Sequence, residues 1–193
     1  MDLKDKKIIL ASNSPRRKEL LAGLNVSFEV DTRNNFEEVY DPTTPQERIP
    51  EVLSEGKSYG FHRELTEDEI LITSDTVVLC SDRVMGKPHS REEAYDMLRF
   101  LSGREHKVIT AITIRDVHQC RTSSDTAIVR FKELTDKEIL YYIDNYKPFD
   151  KAGAYGIQEW IGYIGIGQIK GSFFTIIGLP VHLVYKELLE FIA

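Results

Sequence analysis

The sequence predicts a mixed α/β domain containing antiparallel pieces, and three observations predict it. A short apolar run, Lys7-Ile8-Ile9-Leu10-Ala11, feeds directly into a helix-start signal at Ser14-Pro15. Residues 107–116 and 122–131 alternate in the manner of two paired strands,. Two more helices open on capping-box patterns, Ser90-Arg91-Glu92-Glu93 and Thr135-Asp136-Lys137-Glu138,. Strands therefore follow one another as well as alternating with helices, which is not a strict β-α-β order.

Taken in order, residues 7–11 read as a buried strand: short, apolar and partly β-branched,. Ser14 suits an N-cap and Pro15 the first helical position. Leu20, Leu21 and Leu24 supply an apolar face, and Gly23 lies where that helix can close,. Residues 25–30 form a second strand. Residues 31–46 are polar and rich in turn formers, and read as a loop carrying Glu37 and Glu38. A helix is expected over about 45–62, weakened by Pro50 and Gly56,. Residues 69–79 form a strong strand whose apolar character breaks at Thr73-Ser74-Asp75-Thr76. Ser81-Asp82 turns the chain into residues 84–88 as a short hairpin. The first capping box opens a helix to Leu101, with Gly103 beyond it, and the second opens a helix to about Tyr146,. A loop over 147–158 leads to two strand-like runs flanking Gly171, then to a last helix over about 180–191. No repeat or low-complexity linker occurs.

The chain has 193 residues, 41% hydrophobic and 29% charged, which is ordinary globular composition for one domain or two small lobes sharing a core,. Its apolar runs, residues 173–179 among them, are far too short to span a bilayer, so no membrane partner is expected. The polar start Met1-Asp2-Leu3-Lys4-Asp5 resembles no signal peptide, and Cys80 and Cys120 stand singly; a cytoplasmic protein without disulfides is expected,. A net charge of −6 argues against a nucleic-acid partner but not against a nucleotide, because a small anion needs a local basic pocket,.

The first turn carries the clearest chemistry. A strand feeding a helix N-terminus offers backbone N–H groups and the positive end of the helix dipole. Ser12 and Ser14 add hydroxyls there, and Arg16 and Arg17 put two guanidinium groups in the first helical turn. Cations at that end cost the isolated helix roughly 0.3–1 kcal/mol each, so an external anion such as polyphosphate is the expected compensation. The alternative is a solvated arginine pair. Gly56-Lys57-Ser58 lacks the glycine five residues earlier, where Glu51 stands, so the full Gly-x-x-x-x-Gly-Lys-Ser pattern of a P-loop does not occur,. Asp75, set between Ile70-Leu71-Ile72 and Val77-Val78-Leu79, is expensive to bury unless paired or metal-bound,. It is either a metal ligand or water-activating base, or a strand-end carboxylate bonded to backbone. Lys87 in Gly86-Lys87-Pro88 and Lys57 are candidate phosphate contacts, with solvation the ordinary alternative. Either Glu37 or Glu38 can complete a divalent-cation site with Asp75. The loop Lys151-Ala152-Gly153-Ala154-Tyr155-Gly156-Ile157-Gln158 permits close backbone approach to a ligand, and Gln158 offers both donor and acceptor to a base edge,. An ordinary connection before a strand is the other reading of that loop.

Together these pieces resemble the Maf family of nucleotide pyrophosphatases, also described as septum-formation inhibitors. The matching text is Leu10 through Leu21, Ser74-Asp75-Thr76-Val77-Val78, Gly86-Lys87-Pro88, Leu101-Ser102-Gly103 and Asp150 through Gln158, in family order and spacing. The resemblance implies an elongated mixed sheet with flanking helices, two lobes and a central cleft, similar to the inosine triphosphate pyrophosphatase fold, with a homodimer as one possible assembly. It implies hydrolysis of a nucleoside triphosphate to monophosphate and pyrophosphate with Mg²⁺ or Mn²⁺. By motif position Asp75 matches the proton acceptor. Arg16, Thr76 and Gln158 match the positions linked to substrate choice, and Ser12, Arg17, Lys57 and Lys87 the polar pocket. Glu38, with Asp75, matches the metal-associated carboxylates, Glu37 remaining open. The Thr76 and Tyr155-Gly156-Ile157-Gln158 pattern is similar to the branch acting on dTTP and UTP. Hydrolysis of 7-methyl-GTP and a non-catalytic regulator of cell division are the alternatives. The chain departs from the family at Ser74, commonly Ala, and at Ser54-Glu55-Gly56-Lys57-Ser58, commonly alanine-rich.

Overall fold

The computed structural model describes residues 5–192. Its strands are β1 (Lys7–Leu10), β2 (Phe28–Val30), β3 (Glu69–Cys80), β4 (Arg83–Met85), β5 (Glu105–Arg115), β6 (Cys120–Phe131) and β7 (Ile166–Lys170). The helices are α1 (Pro15–Ala22), α2 (Ile49–Tyr59), α3 (Arg91–Leu101), α4 (Asp136–Tyr146), α5 (Trp160–Gly165), α6 (Phe173–Ile177) and α7 (Val181–Phe191). The seven strands form one sheet in the order β2-β1-β3-β5-β6-β7, with β4 paired to β3. Its mixed character is explicit: β1 runs parallel to β2 and β3, whereas β4 on β3 and β7 on β6 are antiparallel. The predicted mixed α/β class with antiparallel pieces is therefore what the chain forms, and helices flank the sheet.

Two compact units emerge. The first contains the chain up to Asp75, Thr110–Asp125 and the chain from Gly178; the second contains Thr76–Ile109 and Thr126–Ile177. In the first, Ile8, Leu10, Ile70 and Ile72 pack with Leu21 of α1 and Val184, Leu188 and Phe191 of α7. Ile9 and Leu71 point to the opposite face and meet Phe61 and Leu65,. A strand buried on both faces needs a continuous apolar run rather than alternation, which is why β1 and the first half of β3 read that way. In the second unit Val78, Met85, Leu98, Leu101, Val129, Phe131, Ile139 and Tyr142 form one core.

Local signals account for most helix ends. Ser14 accepts from the Arg17 amide as the N-cap of α1. Pro50 lies in the first turn of α2, where its missing N–H is no loss, after a 3₁₀ turn at Gln46–Arg48,. Thr135 and Glu138 close a full capping box on α4. The Ser90 box is half made: Ser90 accepts from Glu93 N, but the Glu93 carboxylate takes His89 N. Of the two strand-like runs around Gly171, residues 160–165 are the helix α5, only Ile166–Lys170 is a strand, and Phe173–Ile177 is the helix α6. Short apolar runs do not distinguish strand from helix by periodicity, and here tertiary packing decides.

The second unit buries one titratable ring. His106, 2% exposed, stacks on Phe131, and its Nε2 lies 2.8 Å from the Tyr155 hydroxyl. Burial pushes the imidazole pKa down to about 4 and the Tyr155 phenol up. The depressed histidine value sets a sign. Below pH 6.5 the unfolded chain takes up a proton that the folded chain refuses until about pH 4,. Stability should therefore fall across that window, by up to about 3 kcal/mol from this residue,. Urea unfolding of the parent chain and of His106→Gln between pH 7 and 4 tests this: the parent should lose stability faster, and parallel curves would remove His106 as the cause.

Candidate active site

β1 ends at Leu10 opposite Ile72, while β3 runs on through Thr73, Ser74 and Asp75. In open α/β sheets the carboxyl end of a parallel strand, where its neighbour has turned away, is where ligands collect. Here the chain leaves β1 through Ser12-Asn13 into α1. Ser12 is buried and its Oγ accepts from Ser14 N at 3.2 Å; Ser14 Oγ accepts from Arg17 N at 3.4 Å. Each serine thus accepts one hydrogen bond from the turn itself, leaving its hydroxyl hydrogen to donate elsewhere,. Arg17 turns inward. Its Nε donates to Gly178 O and its Nη1 to Ser74 O, both at 2.8 Å, and burial lowers its pKa while Asp75 opposes that shift. Arg17 therefore ties α1 to β3 at the residue preceding Asp75. Arg16 sits half-buried in the same turn.

Asp75 lies in the middle of the twelve-residue β3, not at a strand end, and is 8% exposed. Thr73, two residues earlier and on the same face, donates to Ser54 O of α2 at 2.7 Å,. That bond sets α2 over this face, and Lys57, one turn beyond Ser54, comes down onto Asp75. Lys57 Nζ is 2.5 Å from Asp75 Oδ1 and 3.0 Å from Glu38 Oε1. The Lys57 and Asp75 side chains are 18% and 11% exposed, that of Glu38 57%.

Glu38 is brought there by contacts that sequence reasoning missed. Asn34 donates to Lys57 O at 2.6 Å and accepts from Phe36 N at 2.8 Å. The Phe36 ring then lies on α2 where the helix has no side chain: a Cβ at Gly56 would stand 2.3 Å from Phe36 Cζ, and one at Gly60 2.5 Å from Phe36 Cβ. Gly56, which costs a helix interior about 1 kcal/mol relative to Ala, is thus the seat of the loop that delivers Glu38. The departure from an alanine-rich pattern at Ser54–Ser58 and the geometry of Glu38 are one feature. The signal that could have found it was Phe36, an aromatic residue two positions before Glu38 in a loop facing the glycines Gly56 and Gly60.

The second unit holds Thr76, Lys87 and Gln158. Thr76 follows Asp75 on β3 and is half-buried; Lys87 is exposed at the turn after β4. Gly153 N donates to Gly86 O at 3.0 Å, which fastens the Lys87 turn to the glycine loop. Gly153 has φ +68° and lies against Val78, where a Cβ would come within 2.9 Å of the valine side chain. Gln158 Oε1 is buried with no hydrogen-bond partner. The residues around Gln158 are held by a network not foreseen from sequence. Tyr142 of α4 accepts from Gly156 N at 2.9 Å and donates to Glu159 Oε2. Glu159 Oε1 pairs with the buried Lys151 ammonium at 3.1 Å. Burial and then Glu159 push the Tyr142 phenol pKa well up, so it remains a donor throughout the neutral range.

A fold comparison with solved structures returns a HAM1 protein from Coxiella burnetii at TM-score 0.41 and 12% identity, covering 65% of this chain and 73% of that one; it carries no weight here. Curated proteins named dTTP/UTP pyrophosphatase are similar along nearly the whole chain. The protein from Phocaeicola vulgatus is 50% identical over 187 residues, 97% of each chain. That from Parabacteroides distasonis is 48% identical over 98% of each chain. That from Porphyromonas gingivalis is 46% identical, over 98% of this chain and 96% of its own. A family model described as Maf-like protein matches residues 7–191. With Ser12–Arg17, Asp75, Lys87 and the Gly153–Gln158 loop all inside that match, the chain belongs to the Maf-like protein family.

Proposed function

We propose that this chain hydrolyses nucleoside triphosphates, dTTP and UTP first, to the monophosphate and pyrophosphate with a divalent cation, Mg²⁺ or Mn²⁺. The carrying observation is Asp75, a carboxylate buried in mid-strand beside Lys57 and Glu38. The names of the relatives point the same way. Asp75 orients a water and takes its proton as the water oxygen attacks the α-phosphorus; the bond from that phosphorus to the bridging oxygen breaks and pyrophosphate leaves. Arg16, Lys57 and Lys87 neutralise phosphate charge with the hydroxyls of Ser12 and Ser14, while Arg17 keeps α1 in place against Ser74,.

Asp75 and Glu38 would hold the cation. Two carboxylate oxygens that already converge on one ammonium fit a small cation. Among the described residues no group of three or more His, Cys, Asp or Glu is arranged for a metal. A pair suffices for Mg²⁺, which is commonly held by one or two carboxylates together with substrate phosphates and water. When bound, the cation neutralises phosphate charge and acidifies a water.

Gln158 Oε1, buried and unpartnered, suits an N–H donor on a base edge, which thymine and uracil present at N3,. Thr76 completes the residues assigned to substrate choice. The reading includes a cytoplasmic enzyme and admits a homodimer; no helix among the described residues is long and apolar enough to cross a membrane. Pyrophosphate release from dTTP, UTP, CTP, 7-methyl-GTP and ITP, with and without Mg²⁺, tests it. Turnover of dTTP and UTP should lead and should need the metal. Preference for 7-methyl-GTP would overturn the substrate assignment, and binding without turnover would make the chain a nucleotide-binding regulator.

A further inference from the structure

We propose that Lys57 is a resident cation: it bridges Asp75 and Glu38 in the metal-free protein and yields that place only when metal and triphosphate arrive together. The inference rests on the reading of Asp75 and Glu38 as metal carboxylates. Its own observation is that one ammonium touches both, at 2.5 and 3.0 Å, with the Lys57 and Asp75 side chains largely withdrawn from water. Two carboxylates so close to one point repel each other and need a positive charge between them. An ammonium is a compact point charge on a flexible stem, suited both to filling that place and to leaving it. A divalent ion and the ammonium cannot share it, since like charges at such separations repel strongly.

A metal arriving alone must therefore displace Lys57 from both carboxylates and leave its charge poorly compensated in a half-buried position. A triphosphate changes that balance, because its oxygens give the displaced ammonium a new anionic partner. Metal and nucleotide consequently bind with positive coupling, each more weakly alone than with the other. The main chain at Lys57 need not move, since Asn34 holds its carbonyl and α2 is seated on β3 through Thr73 and Ser54. Only the four-carbon stem swings.

Mn²⁺ binding to the full chain, read by the electron paramagnetic resonance of the free ion, tests this with and without a non-hydrolysable α,β-imido dUTP. In the parent chain the analogue should tighten Mn²⁺ by about 10-fold or more. In Lys57→Met, Mn²⁺ alone should bind about 10-fold tighter and the analogue should add less than about 3-fold. Thermal unfolding in chelator gives a second readout: Lys57→Met should melt roughly 4 °C below the parent and recover with Mn²⁺. Lys57→Gln, which keeps a hydrogen-bond donor, replaces the Met variant if that one does not fold. Mn²⁺ tightened equally with and without the analogue would mean simple charge removal and overturn the proposal, as would a parent chain without coupling. Asp75→Asn and Glu38→Gln separate the two levels. If neither weakens Mn²⁺, the metal assignment itself falls. If both weaken it while Lys57→Met behaves as the parent, only the resident-cation proposal falls.

Discussion

Asp75→Asn should leave a folded protein whose turnover of dTTP at saturating metal and substrate is lower by about 10²-fold or more. Asparagine has the same shape, and its Oδ1 can still accept from Lys57 Nζ, which sits 2.5 Å from Asp75 Oδ1. Lys57 also keeps Glu38 at 3.0 Å, so no buried charge is left wholly alone. The strand around the site is insensitive to the change. Thr73 remains tied to Ser54 O, and Ser74 O remains held by Arg17. What the amide cannot do is accept a proton from water. The loss therefore persists in kcat at saturating metal and substrate, where a general base acts, beside the weaker metal binding expected from a lost carboxylate. Steady-state kinetics on dTTP, beside a melting curve within a few degrees of the parent, makes the measurement. A kcat within about threefold of the parent would remove Asp75 from the chemistry; a collapsed melting temperature would mean that its role is structural.

The parts of this site that were legible in the sequence are those whose signals are local. Ser14 and Pro15 announce a helix start because capping and a fixed φ act within one turn, and α1 begins there. Asp75 stood out because a carboxylate inside an apolar run has few physical excuses. Its setting was less legible. The strand expected over 69–79 does run through the polar break at Thr73–Thr76, and what stayed hidden is why it can: Thr73 and Ser74 satisfy their polar atoms on Ser54 O and Gly178 O. Long-range partners of that kind leave no periodic trace. Arg17 illustrates the same limit: its sequence position points to an anion, whereas two of its donors reach backbone carbonyls 57 and 161 residues away. Glu38 could not be separated from Glu37 by composition. Phe36, packed on Gly56 and Gly60, does so by fixing where the loop lies.

Gly162→Ala should be among the most destabilising single substitutions in the second unit, because the obstacle it creates is main chain. A Cβ at Gly162 would stand 1.8 Å from Ile157 O and 2.6 Å from Ile157 C. Side chains can rotate away from a new methyl group, but a carbonyl in a closed loop can yield only if the loop moves. This loop has little freedom. Gly162 N donates to Glu159 O at 2.8 Å, Glu159 N to Gly156 O at 3.0 Å, and Gly156 N to the Tyr142 hydroxyl at 2.9 Å. The start of α5 and residues 156–159 thus form one interlocked turn with Gln158 inside it. Relief requires breaking some of those bonds or opening the packing of buried Ile157 and Ile161. The expected loss is about 3 kcal/mol or more, a fall in melting temperature of roughly 6 °C or more. Gly167→Ala in β7 is the matched control, since its Cβ would meet only Arg130 O, at an ordinary 3.7 Å, and its stability should stay near the parent's. The kinetic consequence separates the loop from the chemistry. A protein that still folds with Ile157 displaced should bind dTTP more weakly through a misplaced Gln158, while kcat at saturation falls far less than in Asp75→Asn. Equal losses in kcat from the two variants would show that the glycine loop does more than place the base.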